Sequence, residues 1–107
     1  MDFYFINSLD ELKVGHFSVL EPDKNKSNLV SKDDIDRSIC LVHGIAYSFL
    51  GHRLGYGKGF YDRFLFKKKC FKLGLCYDFN LQEDVLNNDL DVAVDVVVTE
   101  NRIFGVV

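Results

Sequence analysis

An eleven-residue string rich in glycine and basic residues carries the clearest chemical signal in this sequence: Arg53-Leu54-Gly55-Tyr56-Gly57-Lys58-Gly59-Phe60-Tyr61-Asp62-Arg63. Its three glycines stand at alternate positions, where they let the main chain adopt positive φ and approach a ligand closely, so that successive N–H groups can face an anion. Arg53 and Lys58 add formal positive charge. The pattern predicts a loop that binds phosphate.

The spacing matches neither of the two common phosphate-binding fingerprints. A Rossmann loop would need glycine at position 60, where this chain has Phe60, and a Walker loop needs four residues between its glycines followed by Lys-Ser/Thr. Spacing alone therefore leaves a second interpretation open, in which the string is a glycine-rich turn between a strand and a helix and its basic residues are only solvated.

Charge is unevenly distributed along the chain, although the net charge is only -3. Residues 51–72 hold seven basic side chains against Asp62 alone, whereas residues 83–100 hold six acidic side chains and no basic one. Because both segments belong to one small chain, this asymmetry indicates that an anion site and a cation site adjoin.

Size and composition indicate a single globular domain over residues 1–107. Hydrophobic residues make up 48% of the sequence, which suffices for one core.

Cysteine usage and the N-terminal segment indicate the cellular compartment. Cys40, Cys70 and Cys76 form no CxxC pair, and no long apolar stretch follows a basic start, so we expect a cytoplasmic protein without a membrane segment. We expect the cysteines to be small buried hydrophobes and expect no zinc site, because no histidine stands at metal-ligand spacing from them.

The elements that must position the glycine-rich string are a strand before it and a helix after it. Residues 38–42 form a continuous apolar run, as expected of a strand buried on both faces of a parallel sheet. Residues 60–68 combine apolar and basic side chains at helical spacing, with Phe60 and Phe64 facing inward and Arg63 outward.

The rest of the chain predicts further strands and short connections. The predicted elements are strands at 3–6, 71–77, 92–99 and 103–107, a capping-box helix that begins at Ser8 and that Gly15 could close, a surface loop over 21–37 and a helical turn at 81–86. The strand at 103–107 is expected at the edge of the sheet. This order of elements is typical of an α/β fold with a mostly parallel sheet flanked by helices.

The string and its surroundings resemble, in order and spacing, the successive motifs of the 5-formyltetrahydrofolate cyclo-ligase family. The matching segments are Gly15-His16-Phe17-Ser18-Val19-Leu20-Glu21-Pro22, Leu41-Val42-His43-Gly44-Ile45-Ala46-Tyr47, the residues from Gly51 to Arg63, Gly74-Leu75 and the residues from Asp91 to Glu100. The resemblance covers nearly all of the chain. Two residues depart from the family pattern: His43 stands where proline is usual, and Ser48 where an acidic residue often follows the aromatic. We expect neither to touch the phosphate loop.

The resemblance implies a partial three-layer fold. Family members begin with an additional N-terminal half that contributes to the ATP and folate sites, and this half is expected to be absent here. The sheet surface that such a half would cover is a candidate for self-association.

The resemblance also implies an activity, the ATP- and magnesium-dependent cyclisation of 5-formyltetrahydrofolate to 5,10-methenyltetrahydrofolate with release of ADP and phosphate. A formamide oxygen is a poor leaving group, so the γ-phosphoryl group of ATP is transferred to it before the folate N10 attacks. Catalysis of such a reaction is chiefly alignment and neutralisation of charge.

Residue roles follow from the same resemblance. The residues that would wrap the ATP phosphates are Arg53, Leu54, Gly55, Tyr56, Gly57, Lys58, Gly59, Phe60 and Tyr61, with Lys58 and Arg53 in catalytic roles. The residues that would also face the formyl end of the folate are Tyr56, Gly57, Lys58, Gly59 and Phe60. Asp62 and Asp91 would bind magnesium, which prefers carboxylate oxygens.

Plainer interpretations stay open for several residues. Asp62 in the first helical turn could simply complement the helix dipole, and Asp95 could pair with a basic side chain. Phe60 and Tyr61 could be core anchors.

For the function of the whole protein, the alternative is a catalytically incompetent remnant or a nucleotide-binding module of the same family. Nucleic-acid binding is disfavoured because the net charge is negative and no RNA-stacking motif is present.

Overall fold

The computed structural model describes residues 1–23, 28–55, 59–83 and 92–106, which form short strands and shorter helices. The strands in these residues are β1 (Tyr4–Phe5), β2 (Leu12–Val14), β3 (Leu20–Pro22), β4 (Asn28–Leu29), β5 (Ile39–His43), β6 (Ala46–Ser48), β7 (Arg53–Leu54), β8 (Phe71–Leu75), β9 (Leu81–Gln82), β10 (Val96–Val98) and β11 (Ile103–Gly105). The helices in the same residues are α1 (Lys32–Asp36), α2 (Phe60–Leu65) and 3-10 helices at Leu9–Glu11, His16–Ser18 and Asp78–Asn80.

The largest sheet in the described residues has four strands in the order β11-β10-β8-β5. Strands β5, β8 and β10 run parallel, with both Leu41 and Val96 opposite Leu73, and β11 adds an antiparallel edge. The predicted edge strand near the C-terminus is therefore confirmed. Because successive side chains of a strand point to opposite faces, this register places Val42 on one face of the sheet and Leu41 on the other.

The face of the sheet that carries Val42 is buried. Cys40, Val42 and Val97 lie on it and form a hydrophobic core with Tyr47 and Leu65. The Tyr47 hydroxyl donates a hydrogen bond to the Val42 carbonyl at 2.5 Å, which satisfies the polar group of a fully buried side chain. Burial raises the pKa of Tyr47, so the phenol stays a neutral donor.

The opposite face of the sheet is apolar and exposed. Ile39 and Leu41 of β5 are 65% and 58% exposed, and Phe71 and Ile103 on the same face are 46% and 69% exposed. Among the residues that the structure describes, the prediction of a strand buried on both faces is therefore wrong for β5. A continuous apolar run in the sequence shows only that both faces of the strand carry apolar side chains. Burial of both faces also requires a layer of structure packed over each of them.

The hairpin of β6 and β7 leads from β5 to the glycine-rich string. Tyr47 pairs with Arg53 across the hairpin. The buried Ser48 hydroxyl accepts the N–H groups of Leu50 at 3.2 Å and His52 at 3.1 Å. Ser48 is the second departure from the family pattern. Its hydrogen bonds stabilise the turn between β6 and β7, directly before Arg53, the first residue of the glycine-rich string.

The helix that follows the string is shorter than predicted. It ends at Leu65, and Lys67 has a φ of 61°, a conformation that does not continue a right-handed helix. Leu65 is buried and Phe64 is partly buried against the core, whereas Arg63 is exposed. The predicted orientation of Phe64 and Arg63 is confirmed.

The capping box near the N-terminus is confirmed, with a shorter helix behind it. The Ser8 hydroxyl accepts the N–H of Asp10 at 3.1 Å, and the Glu11 carboxylate accepts the N–H of Ser8 at 3.1 Å. Only a 3-10 helix follows, and Leu12 already begins β2.

Two predicted connections contain secondary structure of a different kind. The predicted loop over 21–37 includes β4 and α1, which begins after Ser31, whose hydroxyl accepts the N–H of Asp34. The predicted helical turn at 81–86 begins with β9, and residues 84–86 lie outside the described ranges. The Ser31 cap accounts for α1, whereas β4 and β9 form by pairing with β1 and β6, which a polar composition does not reveal.

The predicted α/β class is confirmed as a mixed α/β fold with several sheets and few helices. Besides the four-stranded sheet, the described residues form the antiparallel pairs β1-β4 and β2-β3 and the three-stranded sheet β7-β6-β9. No helix within these residues is long and apolar enough to cross a membrane.

The three cysteines are free thiols. Cys40 and Cys70 are buried, as predicted, and Cys76 is half-buried. Burial raises the pKa of the Cys40 and Cys76 thiols.

Candidate functional site

Arg53 occupies the candidate site where the carboxyl end of β5 meets the hairpin. Its Nη1 donates to the His43 carbonyl at 3.4 Å, and its guanidinium carbon lies 4.8 Å from the centre of the Tyr61 ring. The ring face attracts the cation. The fold therefore brings together Arg53, which begins the glycine-rich string, and Tyr61, which stands near its end.

His43 is the third member of this cluster. The Tyr61 hydroxyl lies 3.2 Å from His43 Nδ1, and the two rings meet edge to face with centroids 5.4 Å apart. Burial raises the pKa of Tyr61, so the phenol stays protonated at neutral pH.

The expectation that His43 would not touch the phosphate loop is therefore wrong. Sequence reasoning treated this residue only as a departure from the family pattern. Its position at the carboxyl end of a parallel strand was the available signal, because ligand sites of α/β sheets form at that edge.

Two glycines leave the space that the Arg53 side chain fills. A Cβ at Gly44 would lie 2.7 Å from Arg53 Cγ, and a Cβ at Gly55 would lie 2.9 Å from the guanidinium carbon. Both distances are far below ordinary carbon contact. The prediction of positive φ is confirmed at Gly59, with 67°, whereas Gly55 does not have positive φ and instead lies against the terminal atoms of the flexible Arg53 side chain.

Asp62 connects the start of α2 to the segment before β10. Its Oδ1 accepts the N–H of Val92 at 3.1 Å, and Val92 directly follows Asp91 in the sequence. Its second carboxylate oxygen has no hydrogen-bond partner among the described residues. Asp62 thus has a structural contact, and its second oxygen, which no described residue contacts by a hydrogen bond, is a hard donor of the kind magnesium prefers.

The described residues hold only part of the predicted magnesium site. They contain no group of three or more His, Cys, Asp or Glu side chains able to bind a metal ion. Asp95, interpreted as the partner of a basic side chain, accepts the backbone N–H of Lys72 at 2.7 Å.

The other predicted site residues are only partly described. Leu54 lies in β7 and is 40% exposed, and Phe60 is the first residue of α2. Tyr56, Gly57, Lys58 and Asp91 lie outside the described ranges. Their roles stay predictions.

A cavity of about 310 Å³ lies beyond the carboxyl ends of β5, β8 and β10. Gly44 lines it and also contacts the Arg53 side chain, so the cavity adjoins the cluster described above. Its other lining residues are Leu75, Cys76, Tyr77, Asn80, Val98, Thr99 and Glu100. A small ligand bound at Arg53 would have room to extend here. The sequence pattern did not single out Tyr77 or Asn80.

Comparison with known proteins agrees with this geometry. A family model described as the 5-formyltetrahydrofolate cyclo-ligase family matches residues 1–100. The chain is 32% identical over 103 residues to the 5-formyltetrahydrofolate cyclo-ligase of Mycoplasma genitalium, covering 92% of this chain and 60% of that protein. It is 26% identical over 121 residues to the probable 5-formyltetrahydrofolate cyclo-ligase of Schizosaccharomyces pombe, covering 96% and 57%.

Solved structures give the same result. The chain is similar to the 5,10-methenyltetrahydrofolate synthetase of Aquifex aeolicus, with 36% identity and a TM-score of 0.81, over 97% of this chain and 52% of that one. It is also similar to the synthetase of Mycoplasma pneumoniae, with 28% identity and a TM-score of 0.59, over 80% and 52%. The chain thus spans between about half and 60% of the length of these relatives. Since the family model covers nearly all of its residues, the chain belongs to the 5-formyltetrahydrofolate cyclo-ligase family.

Proposed function

We propose that this protein acts in the cytoplasm in the ATP- and magnesium-dependent cyclisation of 5-formyltetrahydrofolate to 5,10-methenyltetrahydrofolate, with 5-formyltetrahydrofolate and ATP as its small-molecule partners. The observation that carries the proposal is the position of Arg53 between the His43 carbonyl and the Tyr61 ring. No carboxylate among the described residues pairs with Arg53, so none of them neutralises the charge that would bind an anion. A cation held in place before the ligand arrives is what phosphoryl transfer requires.

The proposed reaction has two steps. In the first, the formyl oxygen attacks the γ-phosphorus of ATP, an O–P bond forms, the bond to the bridging oxygen breaks and ADP leaves. In the second, the folate N10 attacks the formyl carbon and loses its proton, and phosphate departs with the former formyl oxygen.

The proposed residue roles follow the order of the string. Residues 53–61 bind the ATP phosphates, residues 56–60 also contact the formyl end of the folate, and Arg53 and Lys58 neutralise charge on the transferring group. Asp62 and Asp91 would hold magnesium, which supplies further positive charge to the phosphates. The second oxygen of Asp62, which accepts no hydrogen bond from the described residues, supports its assignment.

We also propose that residues 1–107 form a single domain and one part of a three-layer fold built on a mostly parallel sheet. The parallel order β10-β8-β5 and the exposed apolar face of that sheet support this proposal. The competing function is a nucleotide-binding module or remnant of the same family that does not catalyse the reaction alone.

The test mixes the 107-residue chain with 5-formyltetrahydrofolate, ATP and magnesium and follows the absorbance of the methenyl product. ATP-dependent product that disappears in Lys58→Ala supports catalysis by this chain. Absence of product would exclude autonomous activity. ATP binding measured by calorimetry on the same samples then separates a nucleotide-binding module, which binds ATP, from a chain without a nucleotide site.

A further inference from the structure

His43 is the last residue of β5, and its side chain is exposed at the carboxyl end of that strand. Ligand sites of α/β sheets form at this edge. The next residue, Gly44, lines the cavity of about 310 Å³ and lies against the Arg53 side chain. His43 therefore stands beside the candidate phosphate site. Its imidazole can make polar contacts that proline, the usual residue of the family at this position, cannot make.

The contact with Tyr61 determines which ring nitrogen of His43 carries the hydrogen. The Tyr61 hydroxyl lies 3.2 Å from Nδ1. Burial raises the pKa of Tyr61, so the hydroxyl keeps its proton. Because an imidazole nitrogen is a much stronger base than a phenol oxygen, the hydroxyl donates and Nδ1 accepts. The hydrogen bond of one ring nitrogen sets the state of the other, so the neutral ring carries its hydrogen on Nε2.

The opposite edge of the His43 ring carries Nε2, with which no described residue makes a hydrogen bond. The ring meets the Tyr61 ring edge to face, at 86° and with centroids 5.4 Å apart. This contact and the hydrogen bond at Nδ1 hold one edge of the imidazole against Tyr61. They fix the orientation of the ring before a ligand arrives, which reduces the entropy lost on binding.

Arg53 supplies a positive charge next to this donor. Its guanidinium carbon and the His43 ring centre lie 4.8 and 5.4 Å from the centre of the same Tyr61 ring. Arg53 Nη1 also donates to the His43 carbonyl at 3.4 Å. No carboxylate in the described part of the chain pairs with Arg53 or His43. A guanidinium, which has donors and no acceptor, and an imidazole N–H together match an anion with several oxygen atoms.

We propose that His43 Nε2–H donates a hydrogen bond to a phosphate oxygen of ATP, and that Tyr61 is a positioning residue that holds His43 in the tautomer with this hydrogen. The identity of the nucleotide rests on the proposed function. The two donors recognise phosphate oxygens, so inorganic triphosphate should bind them as well. A directional contact beside the charge of Arg53 fixes the position of a phosphate, which phosphoryl transfer requires.

The first test reads the tautomer and the contact by NMR. The 107-residue chain is labelled with ¹⁵N at histidine, and long-range ¹H–¹⁵N spectra are recorded without ligand, with inorganic triphosphate and with ATP. Such spectra distinguish the two neutral tautomers and the protonated ring. We expect the Nε2–H tautomer of His43 without ligand, and a shift of its Nε2 signal with either ligand. Tyr61→Phe should populate both tautomers. The exposed His16 is the internal reference.

The second test measures the Kd for inorganic triphosphate by calorimetry in a matched pair of variants. His43→Asn keeps an acceptor near the place of Nδ1 and loses the donor at Nε2, so its Kd should rise about tenfold, the value of a hydrogen bond to a charged group. His43→Gln can place an amide N–H near Nε2 and should stay within about threefold of the wild type. His16→Asn is the control and should bind like the wild type. Circular dichroism checks that each variant folds.

Any of four results overturns the proposal: no binding of triphosphate, another protonation state of His43 without ligand, an unchanged Nε2 signal in the complex, or equal affinities of the Asn and Gln variants. Methenyl product formed by a chain whose Nε2 signal stays unchanged would reject this role of His43 and leave the proposed function intact. A shifted Nε2 signal without product would support the role of His43 and exclude autonomous cyclisation.

Discussion

The Tyr61 hydroxyl and His43 Nδ1 lie 3.2 Å apart and join the end of β5 to the first turn of α2. The glycine-rich string begins and ends beside this contact, because Arg53 lies against the same Tyr61 ring. Strand, hairpin and helix are thereby held at the point where the proposed phosphate site forms.

Replacement of Tyr61 should affect ATP binding through the ring more than through the hydroxyl. Tyr61→Leu removes the aromatic face under Arg53, and we expect the Kd for ATP to rise about threefold, the value of an exposed cation–π contact. Tyr61→Phe keeps the ring and should change the Kd by less. Calorimetric titration with ATP measures both, and Phe17→Leu serves as an exposed aromatic control, since Phe17 is 98% exposed and does not line the cavity beside Arg53. Equal losses in the Phe and Leu variants would contradict the role of the ring.

Two glycine-to-alanine substitutions should have different effects, one on ATP binding and the other on the stability of the fold. The Cβ of Gly55→Ala meets the guanidinium at the end of the long Arg53 side chain and would displace it from the Tyr61 ring, so ATP binding should weaken while the melting temperature changes little. The Cβ of Gly74→Ala meets the buried Tyr47 ring at 2.7 Å and should lower the free energy of unfolding by about 1–3 kcal/mol. Gly105→Ala is the control, since its Cβ meets nothing within 4 Å. Similar melting temperatures for Gly74→Ala and Gly105→Ala would show that the Tyr47 contact is not restrictive.

Two substitutions at Asp62 should distinguish its structural contact from its proposed metal contact. Asp62→Ala removes the acceptor for the Val92 N–H and should lower the free energy of unfolding by about 1 kcal/mol. Asp62→Asn keeps an oxygen acceptor and should cost less, yet it loses the charge that a magnesium ligand needs. Chemical denaturation measures the first effect and magnesium-dependent ATP binding the second. Unimpaired magnesium dependence in Asp62→Asn would refute the metal role.

Asp91→Asn should weaken the binding of magnesium-bound ATP more than the binding of ATP without magnesium. The reason is that the amide keeps the size of the side chain and removes the anionic oxygen that a hard cation prefers. Parallel titrations in magnesium and in EDTA measure the two affinities. Equal losses under both conditions would argue against Asp91 as a ligand.

The Asp78–Arg102 pair should lose its contribution to stability in acid. Arg102 Nε and Nη2 donate to the Asp78 carboxylate at 2.8 and 2.9 Å and lower its pKa to about 2. The pair's contribution is present above the unfolded-state pKa of about 3.9 and is lost as the pH falls towards 2. The melting temperature of Asp78→Asn should therefore lie below that of the wild type at pH 6 and approach it near pH 2, with Asp2→Asn as the control. A difference that stays constant from pH 6 to pH 2 would contradict the assignment.

Much of the local structure could be predicted because local physics decides it. The capping box at Ser8 involves residues at most three positions apart, and the helix after the string begins where its pattern begins. The end of that helix could not be predicted from periodicity, since the conformation of Lys67 ended it before the pattern did.

By itself the sequence determined the family and predicted a phosphate-binding loop, because ordered motifs, glycine spacing and basic side chains are properties of the chain alone. Tertiary structure decided which residues meet. His43 contacts Arg53 and Tyr61 across 10 and 18 positions, and such contacts depend on how a strand, a hairpin and a helix pack. Tertiary structure also decided that Leu41 is exposed while Val42 is buried, because burial requires a covering layer, and in the described residues only one face of β5 has one.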